Sequence, residues 1–164
     1  MSSDVTIEEQ EQMVLEFLEG LAGTFGIQAK AVSVERDDDG FEVNLEGNDK
    51  ELGLLIGPRG SHLVALHEVT KTMLQRRLPG AERARIRVDV GGYRQRRRAA
   101  LALYVKELAT AVAESGVEKA LEPMNAADRK VVHDTVNDLE GVDTISTGEE
   151  PRRRVVIVRS AGAS

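Results

Sequence analysis

The sequence predicts an α+β chain built from two small units. Three observations carry this. Helical and alternating apolar patterns interleave along the chain, with helices at 8–25, 61–77, 93–115 and 125–139 and strands between them. The pair Gly91-Gly92 separates one complete set of elements from the next. A length of 164 residues with 41% hydrophobic content suits two small cores as well as one larger one.

Residues 1–7 are polar and are expected to fray, which starts the first unit at residue 8. From Glu8 to Phe25, Met13, Val14, Phe17, Leu18, Leu21 and Phe25 recur at helical spacing, and Gly26 ends the run. Residues 31–35 read as a short strand. Asp37-Asp38-Asp39-Gly40 is a turn, because Asp and Gly tolerate left-handed backbone. Phe41, Val43 and Leu45 then alternate with Glu42, Asn44 and Glu46, which completes a hairpin. Residues 49–56 form a short helical turn. Gly57-Pro58-Arg59-Gly60 interrupts it, because Pro58 has no N–H for a helix ladder. The helix from Ser61 to Arg77 turns Leu63, Leu66, Val69, Met73 and Leu74 inward, with Ser61 either its cap or in its first turn. His62 and His67 are expected on the surface of this helix. After Pro79-Gly80, Ala84, Ile86, Val88 and Val90 alternate with Arg83, Arg85, Arg87 and Asp89 in a third strand. The first unit thus reads α-β-β-α-α-β over residues 8–91, and Gly91-Gly92 is a candidate hinge.

The second unit, residues 92–160, opens on a long helix from about Tyr93 to Ser115. Leu101, Tyr104, Val105, Leu108, Ala111 and Val112 are its expected buried stripe, and Gly116 suits its C-terminal cap. A short strand follows within 117–122. The next helix begins at Asn125, a good N-cap, with Asp128 in its first turn where the helix dipole favours an acid. Strands at 142–147 and 153–158 flank Gly148-Glu149-Glu150-Pro151.

Charge narrows the function. The total is −6, but residues 1–51 hold 14 acids and 3 bases, net −11, which leaves 14 acids and 19 bases, net +5, for residues 52–164. The cations therefore begin at the Gly57–Gly60 loop, a distribution suited to a polyanionic partner on part of the surface. Aromatics are only 3%, too few for a fold that stacks bases on exposed rings. There is no cysteine, which excludes a disulfide framework and a thiolate metal site. No segment reaches the ~18 apolar residues of a membrane span. The N-terminus lacks the regions of a signal peptide. A soluble cytoplasmic protein is expected, without cofactor, metal or catalytic site. Three histidines give no ligand cluster, and no nucleophile–base set stands at a recognisable motif.

The chain has three Gly-x-x-Gly pairs: Gly20/Gly23, Gly23/Gly26 and Gly57/Gly60. Spacing alone therefore selects none of them. Only Gly57/Gly60 lies between two helical patterns and carries a cation. Glycines admit a close backbone approach, the start of the Ser61 helix offers unpaired N–H groups to an anion, and Arg59 adds a charged donor. Ile56, Gly57, Pro58, Arg59, Gly60 and Ser61 are the resulting candidates. Ile56, Leu63, Val43 and Leu45 are expected to line an apolar groove for bases. The pattern lacks the Gly-Lys-Ser/Thr end of a nucleotide-binding P-loop. Arg129 and His133 stand four apart on one helix face and are a second candidate pair. Arg94, Arg97 and Arg98 share a broad face at the start of the long helix and are candidate phosphate contacts. Arg83, Arg85 and Arg87, and Arg152, Arg153 and Arg154, are left open between surface charge and nucleic-acid contact.

With its Ile56–Gly60 loop between paired helices, the α-β-β-α-α-β unit resembles a type II KH domain, whose Gly-x-x-Gly loop clamps single-stranded nucleic-acid backbone. The Arg129/His133 helix, after the Glu122-Pro123-Met124-Asn125-Ala126-Ala127-Asp128 run, resembles the Arg-x-x-x-His single-stranded nucleic-acid-binding domain. A KH unit followed by such a domain resembles the Jag family of bacterial SpoIIIJ-associated proteins, also called KhpB, over about residues 8–159. The resemblance implies single-stranded RNA as partner, a link to cell-envelope growth and a small KH-only protein as a second partner. The competing readings are a KH-fold adaptor or dimerisation module, and a single-stranded DNA binder.

Overall fold

The computed structural model describes residues 5–162. The chain divides into two compact units at Arg94/Gln95. Residues 1–4 of the expected frayed N-terminus lie outside the described residues. Thr6 and Ile7 are already structured, and the reason is a capping box. Helix α1 spans Ile7–Thr24. The Thr6 hydroxyl accepts from Glu9 N at 3.2 Å, while Thr6 N donates to the Glu9 carboxylate at 2.9 Å.

The first unit continues with β1 (Ala29–Arg36), β2 (Gly40–Gly47), α2 (Asp49–Ile56), one 3-10 turn (Pro58–Gly60), α3 (Ser61–Arg77) and β3 (Arg85–Val90). The sheet order is β1-β2-β3. β1 and β2 run antiparallel, Ala31 facing Leu45, and β2 and β3 run parallel, Val43 facing Val88. A parallel pair needs a crossover, and α2 and α3 supply it. Alternation along the strands puts Val43, Leu45, Val88 and Val90 on the inner face with no exposed surface, against Val14, Leu18, Leu52, Leu63 and Leu74 of the helices.

That packing corrects the expected base groove. Val43 and Leu45 are 0% exposed and Leu63 is 2% exposed, so they fill the core beneath the helices. Only Ile56 of the four is half-buried. The exposed apolar side chains on the helices flanking the loop are instead Leu54 on α2 and Val64 on α3.

The β1–β2 turn is held by Asp37. Its carboxylate accepts from Asp39 N at 2.9 Å and Gly40 N at 2.8 Å, and from Arg85 at 3.3 Å. The two amide bonds, aided by Arg85 and Arg87 and opposed by desolvation, hold this carboxyl below its ordinary range. A depressed folded-state pKa means that the turn's stabilisation is complete at neutral pH and is lost as pH falls through that lowered value. The Asp39 and Gly40 amide shifts are therefore expected to titrate with a midpoint below the ~3.9 of an unfolded Asp. A midpoint at or above that value would remove the role given to these bonds.

Gly91 and Gly92 form a tied turn rather than a loose joint. Gly91 N donates to Leu45 O at 2.8 Å, and Gly92 N to Asn44 Oδ1 at 3.1 Å. Asp89 is 5% exposed, and its carboxylate accepts from Val90 N at 2.8 Å and Arg94 N at 3.1 Å.

The second unit holds most of α4 (Tyr93–Ser115), then β4 (Lys119–Ala120), α5 (Ala126–Asn137), β5 (Val142–Thr147) and β6 (Arg154–Arg159). The antiparallel sheet has the order β4-β6-β5. Val105, Ala109 and Val112 of α4 pack with Val132 and Val136 of α5 and Val155 and Ile157 of β6. The expected α4 stripe is thereby shifted. Tyr104 is 52% exposed and Ala111 is exposed, while Ala109 is buried. Alanines and leucines surround this helix, so the apolar pattern does not fix which face turns inward. The C-terminus of α4 is capped by Arg159, whose guanidinium donates to Ala113 O at 2.5 Å and Glu114 O at 3.1 Å. A cation is favoured at the negative end of a helix.

Candidate nucleic-acid interface

The loop of the first unit follows from its backbone. Gly57 ends α2 with φ 69° and ψ 179°, and its N–H donates to Gly53 O at 3.0 Å. Arg59 (φ 53°) and Gly60 (φ 78°) are consecutive left-handed residues. Arg59 is the one non-glycine with positive φ among the described residues, a conformation that costs an ordinary residue about 1–2 kcal/mol. The result is a tight reversal that leaves Pro58 and Arg59 exposed.

α3 starts directly behind this reversal. Ser61 has helical backbone (φ −62°, ψ −39°) and is the first helical residue, so it does not act as the cap. Gly60 stands at the cap position, and no side chain caps the helix. The first N–H groups of α3 therefore lack the oxygen acceptor that usually satisfies them.

Both glycines are packed against rings. A Cβ on Gly57 would lie 2.4 Å from His62 Cγ, and a Cβ on Gly60 would lie 2.8 Å from Tyr93 Cε1. His62 also bridges the loop, since its Nδ1–H donates to Leu54 O at 2.7 Å. Sequence reasoning treats His62 as an ordinary surface residue and gives Tyr93 no part in the site. No local signal exists for Tyr93, which lies 33 positions after Gly60 in the chain. The other histidine of α3, His67, reaches β3 through Nε2 and Ile86 O at 3.0 Å.

In the second unit, Arg129 and His133 share one face of α5 but are not equally placed. Arg129 is 9% exposed. One guanidinium nitrogen donates to Met124 O at 2.6 Å and another to the Glu150 carboxylate at 2.5 Å. The first bond ties α5 to the segment before it, and the second ties α5 to the β5–β6 turn. His133 is half-buried, and both its ring nitrogens meet hydroxyls of β5. Nδ1 lies 2.5 Å from Thr144 Oγ1 and Nε2 lies 2.9 Å from Ser146 Oγ. A neutral imidazole has one donor and one acceptor nitrogen, so one hydroxyl accepts while the other donates. Sequence reasoning does not single out Thr144, Ser146 or Glu150. The Thr-x-Ser spacing is the available signal, because alternate strand residues share a face.

The α4 arginines also divide. Arg97 donates to Asp128 at 2.8 Å, joining α4 to the first turn of α5, whereas Arg94 and Arg98 are exposed. The buried Asp89 carboxylate at the start of α4 offsets the unfavourable placement of cations at that helix end. On β3, Arg85 pairs with Asp37 at 3.3 Å and Arg87 lies 3.9 Å from Glu42. Arg152, Arg153 and Arg154 are exposed at the β5–β6 turn.

Among the described residues no group of His, Asp and Glu is arranged to hold a metal ion. No helix is long and apolar enough to cross a membrane.

The geometry defines a class: two small α+β units, the first with an uncapped helix start behind a cation-bearing glycine loop, the second with a braced Arg/His helix on a three-stranded sheet. Comparison with known proteins places the second unit. Residues 99–159 match the model of the Arg-x-x-x-His domain, the family named in one-letter code for an arginine and a histidine three residues apart. The chain is 31% identical over 150 residues to the RNA-binding protein KhpB of Clostridium symbiosum, covering 92% of this chain and 66% of that protein. It is 36% identical over 128 residues to the RNA-binding protein KhpB of Bacillus subtilis, 77% of this chain and 60% of that protein. The RNA-binding protein KhpB of Streptococcus pneumoniae is 27% identical over 157 residues, 96% of this chain and 46% of that protein. The chain thus spans about half to two thirds of the length of these relatives. The likenesses support the Jag/KhpB family.

Proposed function

We propose that this chain is a Jag/KhpB protein that binds single-stranded RNA, with a type II KH domain as its first unit and the Arg-x-x-x-His domain as its second. The observation that carries this reading is the start of α3. An uncapped helix N-terminus stands behind a left-handed reversal whose exposed side chain is Arg59. Unsatisfied N–H groups, the helix dipole and a guanidinium converge there, which suits a phosphate. The names of the relatives agree with RNA as the polyanion. Leu54 and Val64 supply exposed apolar surface near the loop for bases.

In the second unit, His133 with Thr144 and Ser146 offers a polar patch, and Arg129 holds the surrounding segments in place. Arg94, Arg98, Arg152, Arg153 and Arg154 add exposed cations. Recognition is mainly of backbone, with modest base preference. The role in the cell is post-transcriptional control in the cytoplasm, linked to envelope growth and to a small KH-only protein.

Backbone-directed binding makes affinity salt-dependent. A plot of log K against log salt is expected to be linear, with a slope of about −0.7 per phosphate neutralised on a single strand. A flat plot for a single-stranded RNA oligonucleotide would refute the proposal. Crosslinking in cells followed by sequencing of bound RNA tests the cellular side. Partners retained after nuclease treatment, with no RNA recovered, would favour an adaptor role instead.

A further inference from the structure

Tyr93 sits beside the loop and is held there. The Asp89 carboxylate accepts from Val90 N and Arg94 N, Asn44 accepts from Gly92 N at 3.1 Å, and Gly91 N donates to Leu45 O at 2.8 Å. These bonds fix the backbone on both sides of Tyr93. The ring packs against the first core and onto Gly60. A Cβ at Gly60 would stand 2.8 Å from Cε1 and 3.4 Å from both Cζ and the hydroxyl oxygen, so the hydroxyl end of the ring borders the loop.

That hydroxyl has no hydrogen-bond partner among the described residues, and it is not a buried orphan. A buried phenol normally finds a partner, whereas one at a wet boundary is free to serve a ligand. Here a rigidly placed O–H lies next to the residue that precedes the uncapped turn of α3. Any phosphate accepting from those N–H groups comes within reach of it.

We propose that the Tyr93 hydroxyl donates a hydrogen bond to the RNA backbone held at the Gly57–Gly60 loop, which makes Tyr93 a contact residue of that site. The inference rests on the single-stranded RNA reading given above. It adds a residue from beyond β3 to a site otherwise made of one continuous segment. It also gives Gly60 a second requirement besides its positive φ: a side chain at that position would displace the ring.

Tyr93→Phe keeps the ring on Gly60 and removes only the O–H. In the full chain, this variant is expected to bind a mixed-sequence single-stranded RNA oligonucleotide about tenfold more weakly, with an unchanged thermal midpoint, as for loss of a hydrogen bond to a charged group. Parent-like affinity would overturn the proposal. An independent readout avoids dependence on folding of the variant. The chain has two tyrosines, so Tyr104→Phe leaves Tyr93 as the single tyrosine signal in a ¹³Cζ-tyrosine spectrum. That signal is expected to shift on RNA saturation, and an unmoved signal would overturn the contact. Replacing Pro58-Arg59 by Asp-Asp separates this proposal from the one beneath it. If that variant loses affinity and Tyr93→Phe does not, only the role of Tyr93 fails. If the Asp-Asp variant binds like the parent, the loop reading fails and the Tyr93 contact fails with it.

Discussion

Replacing Pro58 and Arg59 by two aspartates is expected to weaken single-stranded RNA binding by about 10- to 100-fold, while the chain keeps its thermal midpoint. The magnitude follows from removing one charge-assisted hydrogen bond, worth roughly 1.5–3 kcal/mol, with repulsion from two carboxylates added. Stability is spared for local reasons. Both side chains are exposed, so the core is untouched. Arg59 has φ 53°, and Asp is among the few residues that visit the left-handed region readily. Gly57 and Gly60 remain, so the rings of His62 and Tyr93 keep their places. The salt slope is expected to fall by about 0.7 for each phosphate no longer neutralised. Filter binding or fluorescence anisotropy at several salt concentrations measures both effects. Unchanged affinity in a folded variant would remove the loop from the site.

Arg129→Ala is expected to act first on stability. Removing the guanidinium abolishes the bonds to Met124 O and Glu150 and leaves the carbonyl without its partner. A cost of about 2–4 kcal/mol to the second unit follows, from two bonds made by a charged donor at a buried position. Glu150 limits the cost, because its side chain is 59% exposed and returns to water. Glu150→Gln is expected to cost under about 1 kcal/mol, since an amide still accepts from the guanidinium and the exposed side is solvated. Hydrogen exchange in the full chain separates the units. In Arg129→Ala, protection is expected to drop in α5 and β6 and to hold in β2 and β3. An arginine that served only to touch RNA would lower affinity and leave exchange unchanged, and that outcome would contradict its bracing role.

The contrast between these two arginines marks what the sequence could reveal. Arg59 lies in a stretch where every informative neighbour is within four residues, so its loop, its exposure and the following helix are readable from Gly57, Pro58 and Gly60. The partner of Arg129 lies 21 residues away at Glu150, and no spacing rule connects them. His133 shows the same limit, because its hydroxyl partners Thr144 and Ser146 arrive on a separate strand. Elements with strong alternation, such as Phe41–Glu46 and Arg83–Val90, are legible because a half-buried strand needs that pattern. The inward face of α4 is not, because alanines around the helix carry little directional information. The groove assigned to Val43, Leu45 and Leu63 fails for a related reason. An apolar pattern says that a side chain is covered, but not whether protein or ligand covers it.

We place the phosphate-binding end of the RNA site at the Gly57–Gly60 reversal and the start of α3. The most direct measurement is a ¹⁵N amide titration of the full chain with a single-stranded RNA oligonucleotide at low salt. The largest shifts are expected at Gly57, Arg59, Gly60, Ser61 and His62, with a second group around His133, Thr144 and Ser146. RNA that binds while the amides of 57–62 stay unmoved would contradict this placement.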